Sequence, residues 1–454
     1  MTTPSDDAGI ANADLRPVDQ SLPDQIAVEG ISVEDNMELP WNWARQGEAV
    51  SNQTLLANRF AANGYSPPSS LYLLVAKEHQ GLDQPAFEYF SLGDTGLVFS
   101  RTNYWPASTV KLMAAVGALW TLGKYQLTGA ATIGFTDEDG IYAGTVAQLY
   151  DDALSISSNV AYNRLVEIAG FDEINDQYMT PATGLPAFTL QCRYTSPIPG
   201  ANLRTSPEIS YQEGGKSGVI AKRIGEGKHP DCGGCGNCIT LFELLEVMRR
   251  ATLHEELPVL HRFPIASSDV KGLRAALKKS WTLIDEGAEM AFGNSATVYS
   301  KTGSVPGYEK LDHGLIVDDV SGQRYLIAFS VPYDTTEAIR IEMVKQSLLA
   351  IRNTETTAPP HQHDAGIEIR IHHQSESNAS SETRLHKLQI VAKGADRLEV
   401  WLENQKLGQA ALNSALPYFE LNFLSAEIGN RLLVVRAFSG GKLIGYRAAT
   451  VALD

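Results

Sequence analysis

A lysine one helical turn from a serine can make it a nucleophile, because the amine can take the proton the serine hydroxyl must lose when it attacks a carbonyl, though the spacing alone is a weak signal. Three pairs in this chain have that spacing: Ser108 with Lys111, Ser268 with Lys271 and Ser439 with Lys442. Only Ser108 opens an apolar helical pattern suited to burial under a sheet; Ser268 precedes a basic amphipathic stretch, and Ser439 stands in SGGK, which reads as a hairpin turn. A Lys-[Ser/Thr]-Gly triplet occurs twice, as Lys216-Ser217-Gly218 in an irregular stretch and as Lys301-Thr302-Gly303 at the end of the strand-like ATVYS, and the strand context favours Lys301. Ser-x-Asn occurs once, as Ser157-Ser158-Asn159, between the two. A lysine ordinarily titrates near 10.4, so Lys111 can act as a base at neutral pH only if desolvated or set beside another cation. Lys301 is the candidate neighbour.

The elements that must position these residues are legible in outline. LYLLVAK and AFEYF read as adjacent strands separated by a polar turn. Thr109 to Leu122 carries Leu112, Met113, Val116, Leu119 and Trp120 at helical spacing, with Gly123 as its stop and Ser108 at its N-terminus. Thr145 to Ala169 is helical, broken around SISSN, and residues 170 to 238 read as one long Gly- and Pro-rich loop. Ile239 to Leu253 and Leu273 to Ile284 read as helices that cover the sheet. ATVYSKTG, GLIVDD and YLIAFSV read as three strands, followed by a helix from about Thr335 to Arg352 capped by Asp334 with Glu337.

The order STVK, SSN, KTG resembles class A β-lactamases and penicillin-binding proteins. The resemblance extends to WPASTVKLM, YDDALSISSNVAYNRLVEIAG and SKTGSVPGYEKLDHGLIV and covers residues of about 40 to 352. It implies an α/β fold, an antiparallel sheet sandwiched by helices with an all-helical lobe. Ser108 would be the acylated nucleophile, Lys111 the base or proton relay, and Ser157 the group passing a proton to the leaving nitrogen. Asn159 would contact the substrate's side-chain amide, and Lys301 and Thr302 its carboxylate. Gly303 belongs to the same substrate-binding strand, and the backbone N–H groups of Ser108 and Ser304 would form the oxyanion hole. This chemistry needs no metal or organic cofactor. Its substrate is a small molecule or peptide with an amide, β-lactam or ester carbonyl.

Two departures bear on activity. Ser158 stands where the family has Asp, and the Glu-x-x-Leu-Asn segment that activates the deacylating water in class A enzymes is missing. TLQCRYTSPIPGANLRTSPEISYQEGG takes its place, leaving Glu173, Glu208 and Glu213 as candidate bases. A general base contributes about 10² to 10⁴ in rate. Three readings therefore stand: a β-lactamase, a D-alanyl-D-alanine peptidase or related amidase, and a non-catalytic binder. A carboxylate from residues 172 to 213 within one water of Ser108 would favour the first; none would favour the second.

Cys192, Cys232, Cys235 and Cys238 permit three disulfide pairings, a metal knot starting at His229, or free thiols. The exported enzymes of the family favour disulfides and imply a periplasmic or extracellular location, with any signal peptide already trimmed. His313 reads as a structural histidine, and Tyr104 and Trp105 as either core aromatics or a substrate rim.

With 37 basic against 53 acidic residues, the net charge of −16 argues against non-specific binding to nucleic acid or anionic membrane. No run reaches the 18 or so apolar residues that span a bilayer. Residues 1–37 read as a flexible leader, 38–353 as the catalytic domain and 354–366 as a connector. LQIVA, LEVWL, FELNF and LLVVRAF alternate within 367–454, which looks like an all-β immunoglobulin-like sandwich.

Overall fold

The computed structural model describes residues 53–79, 85–92, 105–179, much of 185–226, 236–257, 261–354 apart from 294, and the strands between Ile369 and Leu453. The leader and connector expectations, together with Tyr104, His229, Cys232 and Cys235, lie outside the described residues. The chain divides into two units, one holding Arg45–Ala358 and the other Pro359–Asp454.

In chain order the first unit comprises α1 (Gln53–Ala62), β1 (Tyr72–Glu78), β2 (Phe87–Leu92), a 3-10 turn (Ala107–Val110) leading into α2 (Lys111–Lys124), β3 (Thr132–Asp137) and β4 (Gly140–Thr145). It continues through α3 (Val146–Ser155), α4 (Asn159–Ala169), a π-helical turn (Glu173–Tyr178), β5 (Thr205–Ser206), β6 (Ile209–Glu213), β7 (Lys216–Ile220) and β8 (Arg223–Ile224). It ends with α5 (Leu241–Thr252), α6 (Ser267–Lys279), α7 (Leu283–Phe292), β9 (Ala296–Val305), β10 (Glu309–Asp318), β11 (Arg324–Pro332) and α8 (Glu337–Arg352).

The central sheet runs β2-β1-β11-β10-β9, every pair antiparallel. Both its faces are covered, so β1 and β11 are buried almost continuously and read as unbroken apolar runs instead of alternating ones. On one side Leu56 and Phe60 of α1, Ile284 and Ala288 of α7 and Met343, Val344 and Leu348 of α8 close over Leu73, Val75, Ile327 and Phe329. On the other lies α5, begun by a capping box in which Thr240 and Glu243 satisfy each other's backbone N–H groups.

A lobe of α2, α3, α4 and α6 packs beside the sheet. Its axis is α2, buried on nearly every side from Lys111 to Leu122, with Trp120 half-exposed. Such all-round burial marks a central helix instead of a surface one.

The sequence expectations need correction at four points. Ser108 sits in the 3-10 turn, and the α-helix proper begins at Lys111. The expected helix over Leu273–Ile284 is two helices, α6 and α7, broken at Ser280 where Thr282 caps the second. Thr336, not Asp334, caps α8, its hydroxyl accepting from Ile339 N. The 170–238 stretch contains the β6–β7 hairpin, which extends a second sheet of order β4-β3-β6-β7. Gly214 and Gly215 form its two-residue loop, both at positive φ (55° and 82°), a conformation other residues rarely adopt.

The second unit holds seven strands: β12 (Ile369–Glu376), β13 (Arg384–Ala392), β14 (Arg397–Leu402), β15 (Gln405–Ala411), β16 (Tyr418–Ser425), β17 (Gly429–Ser439) and β18 (Lys442–Leu453). They form antiparallel sheets of order β12-β13-β16 and β15-β14-β17-β18. Leu398 and Val400 of β14 and Val435 of β17 are buried.

Candidate functional site

The fold sorts the three serine–lysine pairs. Ser268 and Lys271 are both exposed on α6, and Ser439 faces Lys442 where the β17–β18 hairpin turns. Lys216, from the second Lys-Ser-Gly triplet, begins the exposed strand β7 and donates to Gln126 O. Ser108, Lys111, Ser157, Asn159 and Lys301 converge.

Ser157 ends the break between α3 and α4, held at φ 60°, and Ser158 caps α4 by accepting from Ala161 N. From the first turn of α2, Lys111 Nζ reaches Ser157 Oγ at 3.1 Å, Ser157 O at 2.5 Å and Asn159 Oδ1 at 2.7 Å. From β9, Lys301 Nζ donates to Ser157 Oγ at 3.0 Å and to Thr302 O at 3.0 Å. Both lysines are fully buried. Burial first, and the Lys301 charge second, pushes Lys111 down to about 6; burial pushes Lys301 down to about 8, with Asp312 opposing. One lysine is thus poised to accept a proton at neutral pH while the other still carries one.

Ser108 is half-buried at the edge of this cluster. Among the described residues no hydrogen bond joins its hydroxyl to Lys111, whose amine is engaged by Ser157 and Asn159. Ala107 precedes it at φ 49°, a left-handed backbone that costs a non-glycine residue roughly 1–2 kcal/mol. Strain of this kind persists only where surrounding contacts over-determine it. Strand β9 runs close by: a Cβ at Gly303 would lie 3.2 Å from Ser108 N and 3.2 Å from Pro106 O, so glycine lets the strand backbone approach the turn. Ser304, the next residue, is exposed, and the Thr302 hydroxyl donates to Leu311 O at 3.4 Å.

His313 faces Lys301 across the β9–β10 register. Burial, then the Lys301 charge, pushes its ring down to about 3, so the imidazole is neutral at pH 7. Trp105 is half-buried, its backbone N–H donating to Glu309 Oε1 at 2.7 Å.

No family model matches the chain, and no curated protein matches it. Among solved structures it is similar to a point mutant of PBP-A in an acyl-enzyme complex with penicillin G, at 16% identity and a TM-score of 0.44 over 66% of this chain and 97% of that one. It is also similar to a class A β-lactamase from Bacteroides cellulosilyticus DSM 14838 (14% identity, TM-score 0.43, 67% and 99% covered). A third is the class A β-lactamase from Mycobacterium abscessus (16%, 0.42, 66% and 99%). At these levels the likeness gives no residue a role.

Two of the three candidate deacylating carboxylates are engaged elsewhere, and the third is exposed. Glu173 pairs with Arg223 at 3.2 Å, Glu213 accepts from Thr128 N at 2.8 Å and Glu208 is exposed. Glu167 is buried two helical turns beyond Asn159 on α4, about 12 Å along the axis, and holds Arg193 at 2.8 Å. Beside Asn159 stands Tyr194 instead, whose carbonyl accepts from Asn159 Nδ2 at 3.4 Å. Sequence reasoning missed Tyr194, Asn237 and Arg193, since nothing in the spacing of 190–238 announces contacts with α2 and α4. Cys192 and Cys238 are both disulfide-bonded, which removes Cys238 from any thiolate metal knot.

Proposed function

We propose that this protein is a serine acyltransferase or hydrolase that forms an acyl-enzyme at Ser108. The observation that carries the reading is one oxygen, Ser157 Oγ, held between two buried lysines of unequal proton affinity at the edge of the nucleophile turn.

In the first step Ser108 Oγ bonds to the substrate carbonyl carbon while its proton passes to the neutral amine of Lys111. The tetrahedral oxyanion is met by the N–H groups of Ser108 and Ser304, a pairing that the close approach of Gly303 to Ser108 N supports. Ser157 then gives its proton to the leaving nitrogen as the carbon–nitrogen bond breaks, and is reprotonated from Lys111. Lys301 holds Ser157 in place and, with Thr302, attracts a substrate carboxylate. Asn159 keeps Lys111 oriented and offers its amide to the substrate.

The placement of Glu173, Glu208 and Glu213 favours slow release of the acyl group to water, as in a penicillin-binding peptidase or amidase, over rapid β-lactam hydrolysis. The disulfide-bonded cysteines favour an oxidising compartment, periplasmic or extracellular. In the second unit, the first, second and fifth strands share one sheet and the other four the second, which favours an immunoglobulin-like sandwich acting as a spacer or stabilising module. No helix among the described residues is long and apolar enough to cross a membrane.

The test is intact mass over time after mixing with a penicillin, with Ser108→Ala alongside and the drug assayed for hydrolysis. The expected result is a long-lived adduct of the drug's full mass that is missing from the variant. Fast decay with hydrolysed drug would convert the reading to a β-lactamase. No adduct and no hydrolysis would move the substrate to another amide or ester, or the protein to the non-catalytic binders.

A further inference from the structure

Tyr194 touches both edges of the cluster without belonging to it. Its hydroxyl donates to Ala107 O at 2.7 Å, its carbonyl accepts from Asn159 Nδ2 at 3.4 Å and its N–H donates to Asn163 Oδ1 at 3.2 Å. Its ring stacks on Tyr162, with centroids 4.5 Å apart and planes at 19°. Asn159, Asn163 and Glu167 recur every fourth residue along one face of α4, and they hold in turn the Tyr194 carbonyl, the Tyr194 N–H and the Arg193 guanidinium.

Asn237 supports this arrangement from behind. It donates to Tyr194 Oη at 3.0 Å and to Tyr162 Oη at 2.9 Å, and its Oδ1 accepts from the N–H groups of Gln191 and Cys192 at 2.7 and 3.0 Å. Disulfides hold Cys192, two residues before Tyr194, and Cys238, next to Asn237. Hydroxyl, carbonyl and N–H of Tyr194 are thus each held, on a segment whose preceding residues, Leu190 to Arg193, are buried.

The bond to Ala107 O is the informative one. The peptide joining Ala107 to Ser108 is planar, with its C=O and N–H antiparallel, so fixing the direction of Ala107 O fixes the opposite direction of Ser108 N–H. That N–H is the donor assigned above to the oxyanion. Ala107 also carries the left-handed backbone, which a firm partner on its carbonyl stabilises.

We infer that Tyr194, locked by Asn237, is a positioning residue of the acyl-transfer site that aims the Ser108 N–H at the developing oxyanion. The inference rests on the acyl-enzyme reading. Tyr194 contacts no reacting atom; it acts through the Ala107–Ser108 peptide. A misaimed donor raises the barrier to the tetrahedral state and leaves ground-state binding alone, so its loss falls on the acylation rate constant and not on initial affinity.

The test is Tyr194→Phe, which keeps the stacked ring and removes only the hydroxyl. Stopped-flow acylation by a fluorescent penicillin separates the dissociation constant of the initial complex from the acylation rate constant. Binding of phenylboronic acid, which forms a tetrahedral adduct on the serine, reads the oxyanion site independently. The expected result is a fall of about 10- to 100-fold in both the acylation rate constant and boronate affinity, with the initial dissociation constant and melting temperature close to wild type. Wild-type rates in Tyr194→Phe overturn the proposal, as does a variant that melts well below wild type, because the loss then belongs to packing. Wild-type protein that neither reagent modifies overturns the acyl-enzyme reading itself and the role of Tyr194 with it.

Discussion

Lys111 and Lys301 reach the same oxygen from different elements, Ser157 Oγ lying 3.1 Å from the first amine and 3.0 Å from the second. Neither amine has a buried carboxylate as a direct hydrogen-bond partner among the described residues, and their mutual repulsion lowers the proton affinity of Lys111 further than burial alone. Under the acyl-enzyme proposal the pair divides the labour of one proton: a base that is empty at pH 7 and a cation that is still charged.

The division predicts a bell-shaped pH dependence for acylation. Lys111 must be neutral to accept the Ser108 proton, so the rate rises as pH climbs through about 6; Lys301 must stay protonated to hold Ser157 and a substrate carboxylate, so the rate falls above about 8. The two limbs belong to the coupled pair. Lys301→Ala should remove the alkaline limb, lower acylation by about 10² and shift the acid limb upward, since the charge depressing Lys111 is gone. Acylation rates with a chromogenic cephalosporin between pH 5 and 10 check this, and an acid limb unmoved in the variant would refute the coupling.

The same shift predicts a stability cost at the site. Lys111 is neutral when folded at pH 7 and charged when unfolded, so folding must strip its proton, at a cost of roughly 5 kcal/mol. The sign follows from the lowered folded value: the cost is absent above the unfolded pKa near 10.4 and grows as pH falls toward 6. Lys111→Met, similar in length and without charge, should therefore unfold at higher urea than wild type at pH 7, with the gap narrowing at pH 10, while acylation is lost. Equal midpoints at pH 7 would mean that the buried amine carries no such penalty.

Much of this site is legible in the sequence because its signals are local. Ser-x-x-Lys is one helical turn, Ser157 and Asn159 bracket a helix cap, and Lys-Thr-Gly ends a strand, so chain order and context single out the lysines, Lys111 and Lys301, that the fold brings to Ser157. The sheet strands are legible for the same reason. Tyr194 and Asn237 are not: their partners lie 87 and 43 residues away, and only the folded chain brings them together. The β6–β7 hairpin carried a signal in its Gly214-Gly215 pair, but each flanking run is only five residues long and mostly polar, too weak to stand out within a Gly-rich stretch. The break at Ser280 is masked because apolar spacing continues through it from α6 into α7.

Gly303 sets the distance between the edge strand and the Ser108 turn. A methyl group there meets Thr109 Cγ2 at 3.0 Å and both Ser108 N and Pro106 O at 3.2 Å, and two of these three contacts are backbone. Gly303→Ala should push β9 outward, move Ser304 N–H out of line with Ser108 N–H and lower acylation by about 10² to 10³, the value of one oxyanion donor. The core lies on other residues, so the melting temperature should fall by only a few degrees. Full acylation activity in the variant, measured by intact mass after a short pulse of penicillin, would show that the two N–H groups do not act together.

Away from the site, α5 buries a charge cluster whose loss should be costly. Glu246 is fully buried and accepts from Arg249 Nε at 2.9 Å and from Arg250 Nε at 2.7 Å. Burial alone would raise its pKa, but the two guanidiniums outweigh it and hold the carboxyl down to about 2. Glu246→Gln leaves two buried cations uncompensated beneath β10 and β11, a change that costs about 3–5 kcal/mol in comparable settings. Because the folded pKa is depressed below the unfolded value near 4.3, the stabilisation is complete above that value and is lost as pH falls toward 2. Urea unfolding should therefore show a large gap between wild type and variant at pH 7 that shrinks toward pH 2. A gap that stays constant across that range would mean that the carboxylate's charge is not what stabilises α5.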